Sequence, residues 1–178
     1  MRRLKALSLA AALAAAGAGR ASAEILLEGV HWQVGHVEGG RVAAWQDLKV
    51  LDDGPPKLDN RLRARLVIKN DGAKDEDGLL LRFSLTARVA PAAGAVAEGT
   101  WAVPFIVDEK RVPKVGAGKM IEAPLDAGAA LDLYVRRLAR AGWWPDRIKV
   151  QAMIEPRPGT KAVNIVEDVL EVRREAKP

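Results

Sequence analysis

The alternation of apolar and polar residues is clearest over residues 61–89. Two stretches alternate, residues 61–69 and 81–89. The apolar positions are Leu62, Ala64, Leu66 and Ile68 in the first stretch, and Leu81, Phe83, Leu85, Ala87 and Val89 in the second. A period of two is typical of a strand with one face buried and the other in water. The pattern therefore predicts two strands of an all-β domain.

The acidic segment between these strands, residues 70–78, is predicted to be a loop. It begins with the run Asn70-Asp71-Gly72, and such residues tolerate the positive φ angles of turns. The segment is longer than the connection of a tight hairpin. We therefore expect the two strands to lie in different sheets.

Weaker alternation elsewhere predicts further strands, at residues 24–36, 42–51, 101–107, 112–121, 131–135, 148–154 and 163–172. Pro104 cannot donate to a ladder, which favours an edge strand or a bulge at that position. The charged residues 108–111 are predicted to form a turn. Residues 138–142 are predicted to form one helical turn that ends at Gly142.

About seven to nine short strands without βαβ alternation predict an all-β, antiparallel sandwich of two sheets. A closed β-barrel is the alternative. Four inward positions distinguish the two, because they pack together in a sandwich and line a void in a ligand-carrying barrel. These positions are Leu66, Phe83, Leu133 and Ile148.

The N-terminal segment, residues 1–23, has the pattern of a secretory signal peptide. Basic residues precede an apolar, alanine-rich run, and Ala-Ser-Ala at residues 21–23 matches the small-x-small site of signal peptidase. The uncharged run, residues 6–19, is shorter than the about 18 to 20 residues that a membrane span needs. We therefore predict an exported protein, periplasmic or extracellular, without a transmembrane anchor after cleavage.

The rest of the chain is predicted to be one domain, residues 24–172, with a disordered tail at residues 173–178. The leader contains four of the 28 basic residues and none of the 23 acidic ones, so the net charge falls from +5 to +1 without it. This near-neutral charge gives no indication of a nucleic-acid partner. The sequence contains no cysteine, which excludes disulfide bonds and thiol nucleophiles.

One run of segments carries a family resemblance. The first strand ends in Val-Ile-Lys-Asn-Asp-Gly at residues 67–72, and Leu-Asp-Ala-Gly at residues 125–128 leads into the predicted strand 131–135. This order, over residues 61–155, resembles the immunoglobulin-like modules of bacterial exported proteins, of the CARDB or fibronectin-III type. The resemblance implies an immunoglobulin-like sandwich that serves as a scaffold or binding module, without shared catalytic residues.

The pair Trp143-Trp144 is the most unusual local feature. Adjacent side chains point in different directions, so an indole exposed beside Arg140 and Arg147 would be a good anchor for a sugar or a protein partner. The alternative is that one or both indoles close an end of the sandwich under the helical turn.

A second candidate binding surface is a row of arginines. Arg61, Arg63 and Arg65 share one strand face, and Arg82 and Arg88 are expected nearby. Such a patch binds anions on a polysaccharide, a lipid headgroup or an acidic partner. The alternative is an ordinary solvated face whose charges discourage edge-to-edge pairing.

No metal site is predicted. His31 and His36 are five residues apart, which places them on opposite faces of a strand, and neither a cysteine nor a third histidine accompanies them. The acidic loop departs from the EF-hand pattern, with Ala73 at its first position and Ser84 at its twelfth. A weak calcium site in that loop is left open.

The chain lacks the residue patterns of common catalytic sites. Ser84 is the single serine after the leader, no G-x-S-x-G motif occurs, and no phosphate-binding glycine motif is present. We therefore predict a protein that is not an enzyme, has no cofactor and binds an envelope protein or surface component. The alternatives are a periplasmic carrier of a small apolar ligand and, third, a hydrolase that uses carboxylates alone.

Overall fold

The computed structural model describes residues 24–38, 41–52, 61–93, 98–155 and 165–173. Within them the chain forms ten strands and one helix. The strands are β1 (Ile25–Glu38), β2 (Arg41–Leu48), β3 (Val50–Asp52), β4 (Arg61–Asn70), β5 (Leu80–Pro91), β6 (Thr100–Trp101), β7 (Ile106–Arg111), β8 (Met120–Asp126), β9 (Trp143–Ile154) and β10 (Val166–Arg173). The helix, α1 (Gly128–Arg140), lies between β8 and β9.

The strands form two sheets. The first sheet has the order β2-β1-β4-β8, and the second has the order β3-β10-β9-β5-β6, with β7 also paired to β5. The pairings are antiparallel except that of β3 with β10, which is parallel. The two strands with the clearest alternation, β4 and β5, lie in different sheets, as the length of the acidic loop predicts. The all-β, two-sheet class is therefore confirmed for the part of the chain that the structure describes.

Side chains from both sheets form one hydrophobic core. Leu66 of β4, Phe83 of β5 and Ile148 of β9 are buried members of the same cluster. Each buried leucine, isoleucine or phenylalanine side chain contributes about 1.5 to 3 kcal/mol relative to exposure. Three of the four predicted inward positions therefore pack together, which favours the sandwich over a ligand-carrying barrel.

The prediction of a strand at residues 131–135 is wrong, because these residues lie in α1. Leu131 and Val135 are buried, whereas Leu133 between them is 44% exposed. Residues four apart share a face of a helix, and residues two apart do not. Three alternating apolar residues fit the period of a strand as well as that of a helix, so the pattern alone did not distinguish the two. The segment after the Leu-Asp-Ala-Gly run is a helix, not the strand that the family resemblance implies.

The end of α1 is where the sequence predicts it. Residues 138–140 form its last turn, and Gly142 follows with a φ of 79°, in the left-handed region that favours glycine. Tyr134 stacks on Phe105, with ring centroids 4.3 Å apart, and burial raises the pKa of the Tyr134 hydroxyl. The stacking of Tyr134 on Phe105 packs the helix against the connection between β6 and β7.

The segment 101–121 differs from the prediction in three respects. The chain around Pro104 is not a strand, and β6 and β7 lie on either side of it. The charged residues 108–111 belong to β7 instead of a turn, and the next strand, β8, begins only at Met120. The side chains of β7 from Val107 onward are exposed, so its sequence carries no alternation although β5 supplies its hydrogen bonds.

Asn70 holds the acidic loop to the fold. Its side chain is fully buried, and Nδ2 donates to the carbonyl oxygens of Lys74 (2.7 Å) and Val115 (3.1 Å). Its Oδ1 accepts a hydrogen bond from the Gly72 N–H at 3.0 Å, which forms an Asx turn. A buried amide requires such partners, so this residue fixes the start of the loop.

The predicted signal peptide at residues 1–23 lies outside the described residues, as do residues 174–178 of the predicted tail. Arg173, the first residue assigned to that tail, is the last residue of β10. Within the described ranges, no helix is long and apolar enough to cross a membrane.

Candidate binding surfaces

The three arginines predicted to share a face do so on the outer side of the first sheet. The register of β4 places Arg61, Arg63 and Arg65 opposite Gly35, Gln33 and His31 of β1, respectively. Arg82 and Arg88, expected nearby, lie on β5 in the other sheet, so that expectation is wrong. The arginine row is therefore a feature of one sheet only.

Arg65 is neutralised within the sheet. Its Nη2 donates to Asp47 Oδ2 at 3.0 Å and its Nη1 to Glu122 Oε1 at 2.5 Å, and its side chain is only 23% exposed. The guanidinium therefore already forms ion pairs with two carboxylates and is a poor site for an external anion.

Arg63 belongs to a hydrogen-bonded network that ends at an aromatic ring. Its Nε donates to Gln33 Oε1 (2.9 Å), and Gln33 Nε2 donates to Asp47 Oδ1 (2.7 Å). The guanidinium lies over the Trp45 ring, 4.0 Å from its centroid, in cation–π geometry. The hydrogen bond from Gln33, together with the charge of Arg65, lowers the pKa of the Asp47 carboxyl.

Gly35 makes room for the Trp45 ring. The two residues are paired across β1 and β2, and a Cβ on Gly35 would lie 2.8 Å from Val42 Cγ1 and 3.0 Å from Trp45 Cζ3. The indole therefore occupies space that any other residue at position 35 would fill. Gly35 and Arg63 together fix the position of the ring.

A cleft of about 250 Å³ adjoins this ring, and we call it the Trp45 cleft. It lies where β2, the start of β4, the end of β8 and the first turn of α1 meet. Its lining includes Val42, Trp45, Arg61, Asp126, Leu131 and Asp132.

Three charged side chains in the Trp45 cleft are positioned by local contacts. Arg61 Nη1 lies 3.5 Å from Asp132 Oδ2, and the Arg61 side chain is 61% exposed. Asp126 Oδ1 accepts a hydrogen bond from the Gly128 N–H at 2.8 Å, which orients this carboxylate at the start of α1. The cleft therefore presents donors and acceptors beside an apolar wall.

The tryptophan pair is split between interior and surface. Trp144 is fully buried in the core, whereas Trp143 is 43% exposed. Trp144 is therefore wrong as a surface anchor, because its indole closes the sandwich. Trp143, Arg140 and Arg147 remain at the surface.

Arg88 and the acidic-loop residue Asp75 are both engaged in ion pairs. Arg88 binds both carboxylate oxygens of Asp146, with its Nη2 2.7 Å from Oδ2, and these hydrogen bonds raise the pKa of Arg88. In the acidic loop, Asp75 lies 2.6 Å from Lys114 Nζ and accepts from the Ala117 N–H. Among the described residues, no three histidines or carboxylates are grouped as a metal site would require.

Sequence reasoning missed Trp45, Asp126 and Asp132 as site residues. Trp45 lies in a segment of loose alternation, and the residue two positions on, which shares its face in a strand, is the charged Asp47. That composition was the available signal. The two aspartates gave none, because the turn of the chain from β8 into α1 is what brings them to β4.

The comparisons with known proteins show no family. No protein-family model and no curated protein matches the chain. It is similar to a solved β-D-glucoside glucohydrolase from Trichoderma reesei (13% identity, TM-score 0.40) and to a β-glucosidase from Erythrobacter marinus (9% identity, TM-score 0.35), each over 85% of this chain. The chain spans only 19% and 16% of the lengths of those proteins. Likenesses at these TM-scores carry no argument about this chain.

Proposed function

We propose that this protein is an exported, non-enzymatic binding module of the cell envelope, and that it holds its partner at the outer face of the first sheet, beside Trp45. The observation that carries the proposal is a positioned indole next to the Trp45 cleft. Tryptophan and arginine are the residue types that contribute most at binding surfaces, and Trp45, Arg61 and Arg63 provide both types in one place.

The fixed position of Trp45 supports this proposal. Gly35 leaves space for the ring, and Arg63 covers it. A side chain that is already immobilised loses little conformational entropy when a partner binds. By contrast, Arg65 is held by Asp47 and Glu122, so it serves as a support of the face and not as an anion site.

The non-enzymatic part of the proposal has two supports. Within the described ranges, the carboxylates with a displaced pKa are Asp47, Asp75 and Glu171. In each of them, hydrogen bonds from cationic or amide groups lower the pKa. A general acid requires the opposite shift. Ser84 has Val107 and Gln151 as its ladder neighbours, and neither can act as a base.

The carrier alternative has less support. Leu66, Phe83 and Ile148 pack in the core, where an internal ligand would have to lie.

Export is supported by the leader sequence, and the envelope is the compartment in which such a protein meets its partner.

The proposal is tested by co-sedimentation with envelope fractions. The purified protein is mixed with purified cell-wall material, membrane vesicles and envelope protein extract. Trp45→Ala should weaken the apparent affinity about tenfold or more, which corresponds to a loss of at least about 1.4 kcal/mol. The control is Trp101→Ala, because Trp101 is a 40% exposed indole on the second sheet that has a cation, Lys149, over its ring, as Trp45 has Arg63; its binding should not change.

Two results would contradict the proposal. In one, Trp45→Ala binds as well as the unchanged protein. In the other, Trp143→Ala abolishes binding while Trp45→Ala does not, which would place the anchor at the start of β9. Circular dichroism of each variant serves as the control that a loss of binding is not a loss of folding.

A further inference from the structure

The Trp45 cleft has the size of a site for one small polar ring. Its volume of about 250 Å³ is below the about 300 to 1,000 Å³ of sites for drug-sized ligands. Val42, Trp45 and Leu131 supply apolar wall. A ligand that fits must therefore combine a compact apolar surface with groups that satisfy the charged residues beside it.

The charges around the cleft are balanced. Asp126, Asp132 and Arg61 line the cleft, and the guanidinium of Arg63, which lies over the Trp45 ring, adds a second positive charge beside that wall. An anionic ligand would meet two carboxylates, and a cationic ligand would meet two guanidinium groups. Neither sign of net charge is favoured, so the cleft suits a ligand without net charge.

The polar capacity of the cleft calls for a ligand with both donors and acceptors. A guanidinium offers five N–H donors and accepts nothing, whereas a carboxylate accepts through about four lone-pair sites. Among the described residues, Arg61 and Asp132 are joined by one exposed contact of 3.5 Å, and Asp126 Oδ1 takes one backbone hydrogen bond. Most of this capacity is available to a hydroxyl, which donates and accepts at once.

A wholly apolar ligand fits poorly for the same reason. Covering Arg61, Asp126 and Asp132 with hydrocarbon would remove water from three charged groups and replace none of its hydrogen bonds, which is strongly unfavourable. A pyranose ring avoids this cost, because its C–H groups can contact the apolar wall while its hydroxyl groups reach the charged side chains.

We infer that the Trp45 cleft binds one ring of a neutral saccharide, with Asp132, Asp126 and Arg61 as hydrogen-bonding partners of its hydroxyl groups. The inference rests on the proposed binding function and specifies its ligand class. The cleft accommodates a single ring, so a longer glycan extends from it into solvent.

Isothermal titration calorimetry of the full-chain protein with maltose, cellobiose and N,N′-diacetylchitobiose tests the inference. Inorganic phosphate and glucuronic acid serve as anionic probes. At least one neutral disaccharide should bind, and Asp132→Asn should weaken it about tenfold, because a charge-assisted hydrogen bond becomes a neutral one. The Arg61–Asp132 pair is exposed and contributes little to stability, so this variant keeps its fold.

The matched control is Asp108→Asn, an equivalent change at an exposed carboxylate of β7, whose Oδ1 accepts a hydrogen bond from the Glu109 N–H. It should leave the affinity unchanged. Equal weakening by both variants would overturn the inference, as would binding of the anionic probes alone.

The envelope experiment separates this inference from the function on which it rests. If no neutral disaccharide binds while envelope material is still retained in a Trp45-dependent manner, the saccharide assignment is wrong and the binding function stands. If neither binds, both are wrong.

Discussion

Gly35 leaves the space that the Trp45 ring occupies on the outer face of the first sheet. Replacing it with alanine places a methyl group 2.8 Å from Val42 Cγ1 and 3.0 Å from Trp45 Cζ3. Overpacking of this kind costs about 1 to 3 kcal/mol. We expect Gly35→Ala to lower the free energy of unfolding by that amount in urea denaturation, and to displace the indole.

Gly29→Ala is the matched control, because Gly29 is also a glycine of β1. A Cβ there meets only the imidazole of His31, at 3.4 Å. Neither glycine has a positive φ, so backbone strain does not enter the comparison. We expect Gly29→Ala to cost less than about 1 kcal/mol; equal losses at both positions would mean that the Trp45 ring does not occupy the space above Gly35.

Asp47 gives the same face a dependence on pH. Its pKa is lowered in the folded protein by the hydrogen bond from Gln33 and by the charge of Arg65. A lowered pKa contributes stability that is present above the unfolded value, about 3.9, and is lost as the pH falls through the folded value. Unfolding in urea at pH 7 and at about pH 2 should show this loss, and Asp47→Asn should reduce it.

The corresponding control is Asp108→Asn, which removes an exposed carboxylate of β7 that makes a hydrogen bond only to its neighbour's backbone N–H among its described contacts. If this variant reduces the acid sensitivity as much as Asp47→Asn does, the network around Gln33 is not its source.

At the scale of elements, α1 shows how a short pattern misleads. The spacing of Leu131, Leu133 and Val135 matches a strand, but the helix buries the first and third and exposes the second. Val135→Asp should therefore prevent stable folding, since it places an unpaired charge in the core. Leu133→Asp should lower the free energy of unfolding by only about 1 kcal/mol, through lost helix propensity and partial burial.

Thermal melts followed by circular dichroism measure both variants. In a strand the two side chains would share a face, so similar destabilisation by Leu133→Asp and Val135→Asp would contradict the helix.

The strand β7 shows the opposite limit of pattern analysis. Its charged residues are exposed, so no periodicity marks it, and the ladder with β5 is what makes it a strand. Lys110 Nζ then crosses to the first sheet and donates to the Pro124 carbonyl at 3.0 Å. An exposed strand of this kind is defined by its hydrogen bonds to another strand, so its own sequence gives little indication that it is a strand.

At the scale of the whole molecule, a polar clasp joins the two sheets. Asp168 of β10 accepts hydrogen bonds from the Trp32 N–H at Oδ2 and from the Trp32 Nε1–H at its carbonyl oxygen, both at 3.3 Å. Lys49 Nζ lies 2.6 Å from Asp168 Oδ1. Asp168 is more than 100 residues from either partner in the chain, and nothing in its local sequence sets it apart from a surface acid.

The sequence by itself determined the β class, the buried faces of β4 and β5 and the end of α1 before Gly142, and the length of the acidic loop favoured the separation of β4 and β5. Each of these follows from local chemistry: side chains alternate along a strand, a long loop does not close a tight hairpin, and glycine adopts positive φ without strain. Tertiary structure decided the burial of Trp144, the neutralisation of Arg65 and the assembly of the Trp45 cleft. These depend on which strand lies beside which, and the cleft joins residues from β2, β4, β8 and α1 that only the folded chain brings together.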